Sequence, residues 1–239
     1  MKSLLFAAAT LALVATSASN AALVYGGGTE TGSRYNSGAG AITYMNCFTA
    51  IDGTAGQTQL AVDSVMVGIR RVAVAGALTD VGIKIYAAEM TYDGVNFGRG
   101  ANYEIYSSAS LGAGAATVTQ LVNTGAVSDV TLNLETVSNA AAGLGGWWIG
   151  VEFTGANAAN ANNGWRVVNA PTTGASINRF GIFNNAGSGV FQAFFGFGTP
   201  PGSSPSRMMV DVNGTLVPAP GALALLGVAG LVGARRRRS

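Results

Sequence analysis

The sequence predicts an all-β protein, an antiparallel β-sandwich of jelly-roll type, and three observations predict it. From Ala41 onward the apolar residues recur with a period of two, the alternation of a half-buried strand. The runs are short and are separated by Gly, Asn, Ser and Asp-Gly, residues that tolerate positive φ and make turns. Between residues 22 and 216 no apolar stripe of helical period is long enough for a helix, with "SNAAAGLGG" from Ser138 offering one turn at most.

Taken in order, "AITYMNCFTAI" is strand-like, and Leu60 to Arg70 is the next candidate. "DVGIKIY" sets Val81, Ile83 and Ile85 on one face against Gly82, Lys84 and Tyr86, and "EMTYDGVNF" turns at Asp93-Gly94. Asn102 to Ser107 and Thr117 to Val122 follow. "VTLNLE" repeats the alternation with Val130, Leu132 and Leu134 inward. "WWIGVEF" places Trp147, Ile149, Val151 and Phe153 together, which turns Trp148, Gly150 and Glu152 to the other face, toward solvent. Trp165 to Val168, Ile177 to Phe183, Phe191 to Phe197 and Met208 to Val212 complete a set of about ten short strands, the pattern of a sandwich rather than of a repeat array.

Both ends read as targeting segments. Lys2, the apolar run Leu4 to Val14 and the small residues Ser19-Asn20-Ala21 form a secretory signal peptide, residues 1–21, with cleavage after Ala21. The apolar run is well short of the ~20 residues of a spanning helix, which disfavours a permanent N-terminal anchor. Removing Lys2 and Arg235 to Arg238 from the 13 basic residues leaves 8 against 11 acidic ones, a net charge of −3 for the single domain at 22–216. The pI of 8.8 thus belongs to the tail and gives no support for nucleic-acid binding.

The tail, residues 217–239, reads "VPAPGALALLGVAGLVGARRRRS". Pro218 and Pro220 cannot continue a strand and suit the start of a helix. Gly221 to Ala234 would then form an apolar helix of about 21 Å, short against a bilayer core of about 30 Å. Arg235, Arg236, Arg237 and Arg238 would stay on the cytoplasmic side and stop transfer. A plain C-terminal anchor is the alternative, disfavoured by the short, glycine-containing run. This layout of proline motif, apolar helix and arginine cluster resembles the PEP-CTERM sorting signal of exported bacterial proteins. Val217-Pro218-Ala219-Pro220 matches its Val-Pro-x-Pro form, with Ala219 where the family's usual motif has glutamate. The resemblance implies recognition by an exosortase, a membrane-embedded cysteine protease or transpeptidase, and removal of the tail near the motif.

Little in the body points to catalysis. The chain has no histidine, which removes Ser-His and Cys-His nucleophile pairs and His-ligated metals. Cys47 is the single cysteine, so no intrachain disulfide forms, and its place in a strand-like run predicts a small buried hydrophobe, with a thiol that links two chains as the alternative. The glycine runs at Gly112 and Gly143 do not lead from a strand into a helix, as a phosphate loop requires. Glu89, Asp93, Glu104, Asp129, Glu135 and Glu152 are scattered, each with an ordinary solvent-face or turn role, and a glycan-cleaving pair would need two of them to converge. Asp93 and Asn96 offer loop oxygens for calcium, without the spacing of a calcium loop. Trp148, and Trp165 beside the amides of "NAANANNGW", are the candidates for stacking on a sugar ring, with core packing as the competing role.

The expected function is a non-enzymatic exported protein of structural or adhesive type at the cell surface or in the extracellular matrix. A carbohydrate-binding module is the alternative. Expected partners are the Sec translocon and signal peptidase, the exosortase, the inner membrane transiently, and an extracellular polysaccharide. No nucleic acid, cofactor or metal is expected.

Overall fold

The computed structural model describes residues 21–36, 42–49, 57–93, 96–136, 145–157, 162–184, 191–195 and 207–218. Within them the chain forms strands and no helix: β1 (Ala22–Tyr25), β2 (Glu30–Asn36), β3 (Ile42–Thr49), β4 (Gln57–Arg71), β5 (Gly82–Tyr92), β6 (Phe97–Ser108), β7 (Val118–Asn123), β8 (Thr131–Asn133), β9 (Glu135–Thr136), β10 (Gly145–Thr154), β11 (Asn163–Val168), β12 (Ala175–Asn184), β13 (Phe191–Phe195) and β14 (Val210–Pro218). The expected signal segment before Ala21, the expected turn at Ser138, Gly143, and residues 219–239 with Ala219, Pro220 and Arg235 to Arg238 lie outside the described residues. No helix among the described residues is long and apolar enough to cross a membrane.

β4 organises the first sheet. One of its edges pairs with β14 along residues 57–67 and with β11 along residues 69–71. The other edge takes β8 and β7, and β1 and β2 extend the sheet beyond β14 and β11. The second sheet runs β13-β12-β3-β10-β5-β6, with β9 on β10. All of these pairings are antiparallel.

Strand alternation decides what is buried. Leu60, Val62, Val65, Val67 and Ile69 of β4 and Ile83, Ile85, Trp147, Ile149, Val151 and Phe153 of β5 and β10 belong to one apolar cluster drawn from both sheets. Tyr25 of the first sheet meets Trp147 of the second edge-on, ring centroids 6.5 Å apart. Removing this apolar surface from water is the main favourable term in the fold.

Two features depart from the sequence pattern. β1 and β2 occupy a glycine-rich, polar stretch without alternation, and they are held by partners distant in sequence: Ala22 opposes Gly214, and Arg34 opposes Arg166. β14 continues two residues past the expected boundary at Leu216, so Val217 and Pro218 of the expected sorting motif lie in the strand, opposite Gln59 and Gln57. Proline is accommodated there because it closes the strand at a register shift, where a missing N–H breaks no continuous ladder.

The second sheet also closes on itself. β13 and β6 stand at opposite ends of its strand order, about 24 Å apart if the sheet were flat, yet they touch. The Phe191 ring of β13 lies 5.0 Å from that of Trp148 on β10. Strong right-handed twist and coiling bring such ends together, and the register shifts between β5 and β6 add the local bends that bulges supply. The face turned away from the main core thereby acquires an apolar cluster of its own: Ala88, Met90 and Trp148, with Tyr86, Phe97 and Phe191 packed against them. Gly181 makes room for this closure, since a Cβ there would sit 2.1 Å from the Phe191 ring.

Candidate functional site

The two tryptophans expected to offer stacking faces do not do so. Trp148 is 0% exposed, not solvent-facing, and its Nε1–H donates to Gly98 O at 2.9 Å. Alternation placed it on the correct face, but the curl of the second sheet covers that face. Trp165 is equally buried, and its Nε1–H donates to Met209 O at 2.8 Å. Each indole therefore has both its apolar surface and its one donor satisfied internally, as a buried tryptophan requires.

Beside Trp148 the same face becomes polar. Lys84 stands opposite Glu152, and Tyr86 opposite Gly150 on one side and Glu104 on the other. The Lys84 ammonium pairs with Glu104 at 2.7 Å near the surface, and that hydrogen bond, then the carboxylate's charge, raises the lysine's pKa. Glu152 is buried rather than solvent-facing, and Tyr86 donates its phenolic O–H to Glu152 Oε2 at 2.6 Å. Burial first, and this hydrogen bond second, push the Tyr86 hydroxyl above the ordinary phenol range, because the ionised form would be desolvated beside a carboxylate. Glu104 and Glu152 thus flank one lysine and one tyrosine, each bound to a different partner. Glu89, at the other end of β5, accepts from the backbone N–H and the side-chain amide of Asn133 at 3.0 and 2.6 Å, tying the two sheets together.

The open end of this face lies at the β5–β6 hairpin. Thr91, Tyr92, Asp93, Asn96, Phe97 and Gly98 line a depression of about 270 Å³. The Tyr92 and Phe97 rings are 4.7 Å apart and tilted by 36°. Asp93 accepts from the Asn96 backbone N–H at 2.7 Å and from its side-chain amide at 3.2 Å. That geometry is an Asx-type turn at the predicted Asp-Gly position. Both Asp93 oxygens are engaged by Asn96, and among the described residues no group of three or more His, Cys, Asp or Glu converges as a metal site. Half-buried aromatic rings beside an amide and a carboxylate are what the sequence reading sought at Trp148 and Trp165; they occur at Tyr92 and Phe97 instead.

The remaining candidates fall apart from this surface. Asp129 sits in a loop with φ of 62°. Gly112, at φ 83°, makes a turn whose carbonyl accepts from Arg71. Cys47 opposes Trp148 in the β3–β10 register, and Glu135 opposes Gly146 in β9. Ala21 is exposed just ahead of β1.

Comparison with protein-family models, with curated proteins and with solved structures finds no match to this chain. One grouping that the sequence reading missed is a set of arginines on the far face of the first sheet. No short-range motif signals it, because its members are spread from residue 34 to residue 207.

Proposed function

We propose that this is an exported, non-enzymatic protein of the cell surface or extracellular matrix, a jelly-roll-type β-sandwich with a structural or adhesive role, delivered by exosortase-type sorting of its C-terminal signal. The observation that carries the reading is where the body meets the two targeting segments. β1 begins at Ala22, directly after the proposed cleavage point, and Ala22 opposes Gly214 near the end of β14. Both proposed processing points therefore leave the same end of the first sheet, so one face of the domain meets the membrane at either stage. A shared core between two antiparallel sheets, and a final strand that returns between β1 and β4, support the sandwich. Sec translocon, signal peptidase and exosortase are the implied partners, with the inner membrane a transient station.

The test follows the mass of the chain in its native host with and without the exosortase. The expected result is a mature form lacking Arg235 to Arg238 only where the exosortase is present. A mature form that keeps the four arginines in both strains would overturn the sorting proposal.

The hairpin depression supports a second reading, a carbohydrate-binding surface, in which Tyr92 supplies the stacking face and Asn96 the polar contact. Tyr92→Ala is expected to weaken binding of a neutral glucan by about tenfold, the order of one lost stacking contact, measured by titration calorimetry. No binding by the parent chain, or equal binding by the variant, would count against it.

A further inference from the structure

We infer that the outer face of the first sheet holds a binding site for carboxylate groups, and that its ligand is an acidic polysaccharide. This extends the surface-protein reading by naming what the surface meets. The site is made of four arginines. Trp165 and Tyr35 oppose each other facing the core, so the alternation turns Arg166 and Arg34, also directly opposed, to the outside. Arg70 opposes Gly164, two residues before Arg166, and lies on the same face because its neighbour Ile69 is core. Arg207 joins through its carbonyl, which accepts from the Val168 N–H at 2.9 Å. Gly164 lets them close up: a Cβ there would meet Arg34 Cδ at 3.0 Å and Tyr35 O at 2.6 Å, so the Arg34 stem crosses the glycine toward Arg70.

This gathers half of the body's eight basic residues on one patch of a domain whose net charge is negative. Like charges directly opposite across strands are destabilising, so such a grouping calls for an anion. The described residues supply too little. Arg166 is 4% exposed and bonds Glu30 through Nη2. Its Nε and Nη1, and the Nε atoms of Arg70 and Arg207, are buried without hydrogen-bond partners among the described residues. Asp211, on the same side of β14, already accepts from the Gly27 N–H at 2.8 Å. Five further carboxylates are committed elsewhere: Glu104 to Lys84, Glu152 to Tyr86, Glu89 to Asn133, Asp80 to Ser110 and Val81, Asp93 to Asn96. Buried guanidinium N–H groups left unpaired are costly.

Glu30 indicates the ligand chemistry. It is a half-exposed carboxylate already seated on Arg166, and the planar guanidinium fork matches a carboxylate in bidentate fashion. The half-buried Arg70 and Arg207 would take further carboxylates from outside. A nucleic acid is disfavoured, because its regular phosphates need an extended basic stripe and the remainder of this body is acidic.

The full chain is titrated with polygalacturonate, neutral dextran and duplex DNA over a range of salt. Polygalacturonate is expected to bind, with affinity falling as salt rises, and dextran and DNA to bind at least about tenfold more weakly. Arg70→Gln and Arg207→Gln, both half-buried and so tolerable to the fold, should each weaken polygalacturonate about tenfold with unchanged circular dichroism and thermal midpoint. Undiminished binding by the Arg70→Gln/Arg207→Gln double variant, equal binding of dextran, tighter binding of DNA, or no binding at all would overturn the proposal. Sorting is read from cellular mass and location, so either proposal can fail without the other.

Discussion

Replacing Trp148 by alanine is expected to destabilise the fold by about 3–5 kcal/mol, as much as a tryptophan removed from the main core. Were Trp148 the solvent-facing partner of the Trp147-Trp148 pair, the cost would fall near 0.5 kcal/mol. The larger figure follows from its surroundings. The indole is fully buried, packs edge-on against Phe191, and shares a cluster with Ala88 and Met90. Truncation would remove that contact area, leave a cavity under the curl of the second sheet, and strand the Gly98 carbonyl that now accepts from Nε1. Trp148→Phe should cost less, since most of the volume stays and the lost hydrogen bond is worth about 1 kcal/mol. Urea unfolding of the parent and the two variants measures both. A loss below about 1 kcal/mol for Trp148→Ala would mean that the second cluster does not support the fold.

The same residue shows how far the sequence could be read. Alternation assigned the inward faces of β5, β8 and β10 correctly, because that period is a direct consequence of strand geometry. It cannot say whether the opposite face is open or covered. A cue lay in "WWIGVEF" itself: only Glu152 is charged, and a strand buried on both sides reads as a continuous apolar run. Glu152 misleads in the same way, since its burial depends on the Tyr86 hydroxyl one row away. β1 and β2 were illegible because their order comes from β14 and β11, more than a hundred residues on, and not from their own composition. The arginine patch was hidden for the same reason. Arg34, Arg70, Arg166 and Arg207 become neighbours only through register.

Arg71 gives the second large effect, and Arg71→Met is expected to cost about 3–5 kcal/mol. The alternation of β4 turns this residue inward, where a methionine would fill most of the aliphatic volume. Its guanidinium, 2% exposed, instead donates from Nη1 to Leu111 O at 2.9 Å and from Nη2 to Thr79 O and Gly112 O at 2.7 and 2.6 Å, with Gln120 Oε1 at 3.3 Å. Those carbonyls belong to the loop entering β5 and the loop leaving β6, so one side chain at the end of β4 fastens both. Burial lowers the Arg71 pKa and the nearby Asp80 charge opposes that shift, yet an arginine stays ionised in proteins. Each bond to a charged donor contributes about 1.5–3 kcal/mol, and methionine would remove that donor from the Thr79 and Gly112 carbonyls and leave Leu111 O only the long bond from the Gln120 amide at 3.5 Å. Arg71→Lys should fall between, because a single ammonium cannot span acceptors that the planar fork reaches from two nitrogens. Equilibrium urea unfolding ranks the three chains, and hydrogen exchange at Leu111, whose amide donates to Val81 O at 2.8 Å, reports on the loops directly. If Arg71→Met left both the unfolding free energy and that protection unchanged, the loops would be held by their backbone bonds alone. The predicted order, parent above lysine above methionine, separates the fork's geometry from its charge, since lysine keeps the charge and loses the fork.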